Sequence, residues 1–257
     1  MKDDNAGLII FDLDNTLVDK NAVFEKAQKK MIEIVKGSKV TKKDMEILRK
    51  MDLILIKKKK SHLYPFEILA LSLWLYYDEN LDVKKSIQKS LDIFQGTSER
   101  TEEIEEAIEL AEKAAGEHNN IVENTPAPLF RGVKKVLQTL KKRGYILVLV
   151  SESNHSLQKK TLETYNLQQY FDDFKLCDQK GQCFFEIKRK FDPKFYGNEF
   201  KVVVIGDGIE RDIKPGNEIG AITIWKPGDF NPGTPSPGMN QPDYSIRDVE
   251  SLLTILP

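Results

Sequence analysis

Four short aliphatic runs constrain this chain more than anything else in it: Leu8–Phe11 (LIIF), Ile146–Val150 (ILVLV), Val202–Ile205 (VVVI) and Ala221–Trp225 (AITIW). Their hydrophobicity is continuous rather than alternating, and β-branched residues are frequent in them. A strand that is apolar on both faces must be covered on both faces, the condition of a parallel sheet between layers of helices. Helical patterns separate the later runs. Val133, Val136, Leu137 and Leu140 mark one helix face before the second run, with Gly144 at the place of a C-cap. The order predicts an α/β fold with a doubly wound, Rossmann-like, mainly parallel sheet.

Residues 20–124 contain no such run. Helical spacing predicts helices near 22–36, 41–56, 65–77, 83–95 and 98–117. In the last, Ile104, Ile108, Ala111 and Ala115 share a face, and Ser98 with the nearby glutamates favours the start through capping and the helix dipole. The division expected is therefore an α/β core of residues 1–19 and 125–257, with an all-helical domain of residues 20–124 inserted into it. NTPAPLF (124–130) is the return hinge. Farther on, FKLC and CFFEI flank DQKGQ, which predicts a hairpin over 171–188 with Gly181 in its turn. Asp192 and Pro193 have the pattern of an N-cap and first helical residue. Lys226 to Pro242 reads as loop, and PDYSIRDVESLLTIL as a short strand and a last helix.

The longest apolar run, Ile68 to Tyr77, is half of the roughly 20 residues a membrane helix needs. MKDDNAG lacks the basic and apolar segments of a signal peptide. Two cysteines, Cys177 and Cys183, make no disulfide framework, so a cytoplasmic protein is expected, with two free thiols as the reading preferred over a pair oxidised across the turn. A net charge of -1 gives no basic excess for a dedicated nucleic-acid binder.

The chemistry is concentrated where strands end. Asp12 follows the first run, Ser151 the second and Asp207 the third. In an open parallel sheet those ends meet in one crevice, which is where ligands bind. A lone aspartate after a strand is ordinarily a turn or cap residue. Asp12, Asp14, Asp207 and Asp212 together are not explained that way. Two carboxylates about 4 Å apart repel by roughly 4 kcal/mol at an effective dielectric near 20, so such a cluster calls for a cation. Hard oxygen ligands with few His or Cys suit Mg²⁺. IGDGIERDI has only part of a dinucleotide-binding glycine pattern, with Arg211 at the third glycine position.

With these residues in place the sequence resembles the haloacid dehalogenase superfamily of aspartate-nucleophile phosphatases. FDLDNTL (11–17) is similar to its first motif, Ser151 in VLVSES to its second, Lys190 in KFDPKF to its third, and GDGIERDI (206–213) to its fourth. The inserted helical segment stands where the family carries a cap. The resemblance implies a Mg²⁺-dependent phosphatase for a small phosphorylated metabolite. Asp12 is then the nucleophile, Asp14 the general acid and base, Ser151 a phosphoryl contact and Lys190 the charge-balancing lysine, with Lys188 as its alternate because Phe191 replaces a usual proline. Asp12, Asp14 through its carbonyl, Asp207 and Asp212 are the implied metal residues. Glu152 departs from the family pattern and has to point away from the phosphate. Dehalogenase members lack the second aspartate of the first motif, so Asp14 favours phosphoryl transfer. A phosphomutase on the same core and a non-catalytic binding or regulatory protein are the rival expectations. Elsewhere, Lys57–Lys60 reads as a solvated helix end, His62 as a surface residue, and Trp74, Tyr76 and Tyr77 as core of the helical segment.

Overall fold

A computed structural model describes residues 7–59, 64–152, 155–191, 201–228 and 234–257. Six strands form one sheet in the order β3-β2-β1-β4-β5-β6, and every pairing is parallel. They are β1 (Gly7–Phe11), β2 (Tyr145–Ser151), β3 (Asp173–Leu176), β4 (Val202–Gly206), β5 (Ile222–Trp225) and β6 (Tyr244–Ser245). The four inner strands β2, β1, β4 and β5 coincide with the four aliphatic runs. All five residues of β1 are buried, and so are all five of β4. The edge strands β3 and β6 are more exposed and were harder to see as hydrophobic runs.

The chain divides into two compact units, one of residues up to Ala22 and from Pro126 onward, the other Val23–Thr125. In the first unit the outgoing and returning chains pair with each other. Val18 bridges Leu129 in antiparallel fashion, Asp19 N donates to Pro128 O at 2.7 Å, and Phe130 N donates to Leu17 O at 3.0 Å. Beyond this neck the unit holds α6 (Val133–Lys142), α7 (His155–Tyr165), α8 (Lys180–Phe191), α9 (Lys214–Glu218) and α10 (Leu252–Ile255). Phe184, Ile187 and Phe191 of α8 pack with Val148, Val150, Leu8, Val202 and Val204 of the sheet.

The second unit is helical among its described residues. α1 (Lys20–Lys36) runs into it, followed by α2 (Lys42–Lys59), α3 (Phe66–Tyr77), α4 (Val83–Phe94) and α5 (Glu102–Asn124). α3 is its central helix: Ile68 to Leu73 and Leu75 are all buried. Trp74, Tyr76 and Tyr77 pack against that core. The helix starts follow capping chemistry. Thr41 and Asp44 form a reciprocal box at α2, with Thr41 N donating to Asp44 Oδ2 at 2.7 Å and Asp44 N to Thr41 Oγ1 at 3.3 Å. Asp82 accepts from the amides of Lys84 and Lys85 at α4. At α5 the cap is Thr101, not Ser98, and three glutamates follow it in the first turn. Lys57 to Lys59 are exposed at the end of α2, while Lys60 and His62 lie outside the described residues. No described helix is long and apolar enough to cross a membrane.

Two expectations are corrected. There is no hairpin over 171–188. FKL forms β3 parallel to β2, and the segment after it is α8. The apolar residues Phe184, Ile187 and Phe191 recur at helical spacing, and Gly181 sits inside the helix rather than in a turn. Nor are the cysteines free thiols: Cys177 and Cys183 are joined in a disulfide, their Cα atoms 6.4 Å apart. Placing Cys183 in the first turn of α8 brings it back toward the end of β3. The expected helix start at Asp192–Pro193 lies outside the described residues.

Candidate active site

The strand order runs outward from β1 through β2 to β3, then returns to β4 and continues to β6. The switch falls between β1 and β4, and their carboxyl ends carry Asp12 and Asp207. Asp12 stays in the ladder, its amide donating to Ile205 O at 2.9 Å. After Asp207 the chain makes a π-helical turn, Ile209–Ile213, a form often found at functional positions. That turn folds Asp212 back over the end of β4. Glycine is required at 206 for this: a Cβ there would lie 2.2 Å from Asp212 Cγ.

The result is a buried group of Asp12, Asp207 and Asp212 with carboxylate oxygens within 4.8 Å of one another. Lys180, the first residue of α8, lies among them. Its Nζ donates to Asp12 Oδ1 at 2.6 Å and to Asp212 Oδ1 at 2.6 Å. Neutral donors hold the three acids as well. Thr16 Oγ1 donates to Asp12 Oδ2 at 2.9 Å, Gly208 N to Asp212 Oδ2 at 2.9 Å, and Asn15 Nδ2 to Asp207 Oδ2 at 3.3 Å. Asn15 adopts a left-handed conformation, φ 59°. It is fixed there by the Asn21 amide, which donates to its Oδ1, and by Lys226 Nζ, which donates to its carbonyl at 2.7 Å.

Charge is unevenly balanced in this group. Burial is the largest influence on Asp12 and, with the fields of Asp212 and Asp207, pushes its carboxyl up to about 8 against the opposing pull of Lys180. Burial likewise raises Asp207, reinforced by Asp212. Burial alone would lower Lys180, but Asp12 and Asp212 outweigh it and hold the ammonium well above its ordinary value. One lysine among three carboxylates leaves the site electron-rich, a donor set of hard oxygens that fits a divalent cation.

Ser151 ends β2, is buried and accepts a hydrogen bond from the Gln158 amide. Asp14 stands in the loop after β1, bridged through its backbone to Val18, and its carboxylate is not one of the three that converge. Glu152 has an occupation of its own: its Oε1 accepts from the Lys180 amide at 3.2 Å, and its Oε2 lies 3.9 Å from Arg211 Nη1.

Lys190 is not in the cluster. It lies in the last turn of α8 with an exposed side chain, its Nζ donating to Asp173 Oδ2 at 2.8 Å. Lys188, the alternate, donates to the Ile219 carbonyl at 2.6 Å. The helix that ends at Phe191 brings its first residue, not its last turn, to the carboxylates. Sequence reading missed Lys180, Thr16, Asn15 and Lys226. The available signal for Lys180 was its place in the series 180, 184, 187, 191, which is one buried helix face.

A family model described as haloacid dehalogenase-like hydrolase matches residues 7–220. No curated protein matches the chain. Among solved structures, YfnB from Bacillus subtilis, assigned as a HAD-hydrolase and bound to magnesium, is similar at 17% identity and TM-score 0.58, covering 97% of this chain and 98% of that one. A protein assigned as a phosphoglycolate phosphatase, from Haemophilus somnus, is similar at 18% identity and TM-score 0.55 over 100% of both chains. A protein assigned as a phosphatase, from Clostridium difficile, is similar at 19% identity and TM-score 0.53, with 98% and 99% covered. At such identities the likeness concerns the fold.

Proposed function

The chain belongs to the haloacid dehalogenase-like hydrolase family, and we propose that it is a Mg²⁺-dependent phosphatase of small phosphorylated metabolites. The observation that carries this reading is the convergence of Asp12, Asp207 and Asp212 around Lys180 at the switch point of the sheet. A magnesium-bound structural neighbour supports the choice of ion. Asp12, Asp207 and the Asp14 carbonyl would hold the metal, with Asp212 in support. Bound there, Mg²⁺ would offset the charge of the phosphoryl group and of the carboxylates.

In this reading the Asp12 carboxylate attacks phosphorus, and a covalent aspartyl phosphate divides the displacement into two easier steps. Thr16 fixes one Asp12 oxygen, which leaves the carboxylate a defined direction. Asp14 gives a proton to the leaving oxygen and then takes one from the water that hydrolyses the intermediate. Lys180, rather than Lys190, balances the charge on nucleophile and phosphoryl oxygens, a role of fixed electrostatics. Ser151 hydrogen-bonds a phosphoryl oxygen. The helical unit Val23–Thr125 takes the part of a cap and bears the substrate specificity.

Turnover of p-nitrophenyl phosphate with and without Mg²⁺ tests the proposal. Metal-dependent hydrolysis that is lost in Asp12→Asn supports it. Halide release from a 2-haloacid without phosphate release overturns it in favour of a dehalogenase. No turnover of any phosphorylated metabolite, together with no Mg²⁺ binding, overturns it in favour of a non-catalytic role. Transfer of the phosphoryl group to a second hydroxyl instead of water identifies a mutase.

A further inference from the structure

We propose that Cys177 and Cys183 form a reversible redox site that sets the activity of the catalytic centre, an inference that rests on the phosphatase reading above. The disulfide spans the end of β3 and the first turn of α8, and Lys180 lies inside the short loop that it closes. The rest of that loop is the two residues before Lys180 and the remainder of the first turn of α8. Asp178 and Gln179 are exposed, and the described backbone anchors are the Cys177 amide on Ser151 O at 3.0 Å and the Lys180 amide on Glu152 Oε1 at 3.2 Å. The bridge therefore pins the residue whose ammonium must stay 2.6 Å from both Asp12 and Asp212. It also ties that residue to the end of β2, where Ser151 stands. Misplacing a charge-balancing group by a fraction of its bond length costs rate steeply.

The same geometry makes the bond exchangeable. Cys177 is buried and Cys183 is half-buried, packed beside the α8 core, which makes Cys183 the sulfur an incoming thiolate would attack. Both sulfurs adjoin the amino end of a twelve-residue helix, where partial positive charge stabilises a departing thiolate. Reduction by a dithiol converts the bridge to two protein thiols and leaves the reagent as a cyclic disulfide. Reoxidation by a small-molecule disulfide, RSSR, restores the bridge and releases two RSH, through a mixed disulfide in each direction. The bridged form is the competent one, since it holds Lys180 on the carboxylates.

The test compares protein purified without reductant, the same protein treated with dithiothreitol, and protein then reoxidised with oxidised glutathione, each verified by thiol titration. With p-nitrophenyl phosphate and saturating Mg²⁺, kcat of the reduced form is expected about ten-fold below that of the bridged form, and reoxidation restores it. Cys183→Ser is expected to stay at the reduced level and to ignore dithiothreitol. Equal turnover of the two forms overturns the proposal and leaves the bridge as a structural one; so does a Cys183→Ser protein that still responds to dithiothreitol. Amide hydrogen exchange supplies a readout that does not need turnover. Exchange at Lys180 is expected to quicken on reduction, and unchanged exchange overturns the proposal. If neither form hydrolyses any phosphorylated compound, the phosphatase reading falls; the proposal, which assigns the bridge to that activity, is overturned with it, and quicker exchange then records only a redox-sensitive turn.

Discussion

Replacing Lys180 by methionine separates the structure from the motif reading more sharply than any other single change. The substitution keeps the length and removes the charge. Two charge-assisted hydrogen bonds disappear, each 2.6 Å long, from a side chain that is 4% exposed. In a buried setting each is worth about 1.5–3 kcal/mol, offset in part because an ammonium no longer has to be desolvated. Removing one partner of a buried pair leaves the carboxylates uncompensated, so stability should fall by about 3–5 kcal/mol as well, and turnover is compared on folded protein. For turnover, loss of one fixed electrostatic partner of the transition state costs about 10²–10³-fold, or about 3–4 kcal/mol. The control is Lys190→Met. That side chain is 55% exposed and makes one surface ion pair, worth about 0–1 kcal/mol for stability and nothing for chemistry. The assay is the Mg²⁺-dependent hydrolysis of p-nitrophenyl phosphate, with kcat measured at saturating substrate and a thermal melt to show that both variants fold. A hundred-fold loss in Lys180→Met beside a less than two-fold change in Lys190→Met is expected. The reverse ranking would refute the assignment of Lys180.

Gly206→Ala should disturb the end of β4 and the turn after it, because its new Cβ would meet Asp212 Cγ at 2.2 Å and Asp212 Cβ at 2.4 Å and displace that carboxylate; calorimetric titration with Mg²⁺ is expected to show at least a ten-fold weaker affinity. In the helical unit, burial works against the Asp44 anion, but bonds from Lys36, the Thr41 amide, Tyr77 and the Thr41 hydroxyl outweigh it and hold the carboxyl well below its usual range. A depressed folded-state pKa means stability that is present above about pH 4 and is lost as pH falls below it. Asp44→Asn should accordingly cost about 2–4 kcal/mol at neutral pH, and the gap between variant and parent in urea melts should narrow as the pH is taken from 5 to 3.

How much of this was legible without coordinates depends on which force placed each residue. The inner strands were readable because a strand covered on both faces has to be aliphatic throughout, and LIIF, ILVLV and VVVI leave no alternative. The positions after them followed from topology, so Asp12 and Asp207 were brought together by an argument about strand ends. Helices α1 to α4 were readable within a few residues because their apolar faces are regular. Lys180 was not. A lysine is ordinarily a surface residue, and nothing local distinguishes one that will be buried between carboxylates nearly 170 positions before it and 32 after it. The motif-like stretch KFDPKF drew attention to Lys190, and apolar residues crowded on both sides of DQKGQ imitated a hairpin. Thr16, Asn15 and Lys226 act through hydrogen bonds whose partners are chosen by the folded loop, so their contribution is visible only in three dimensions.

The neck at Val18–Leu129 bears on how such a chain acquires its shape. Holding together the ends of an unstructured stretch of this length would carry an entropy cost of about 4 kcal/mol. Once the helices between have formed a body of their own, that cost has already been met by their packing. The sheet then gains its first strand and its later ones as though they were neighbours in sequence. A length change within the helical body leaves these backbone bonds in place, so the intervening stretch can diverge while the carboxylates stay in register.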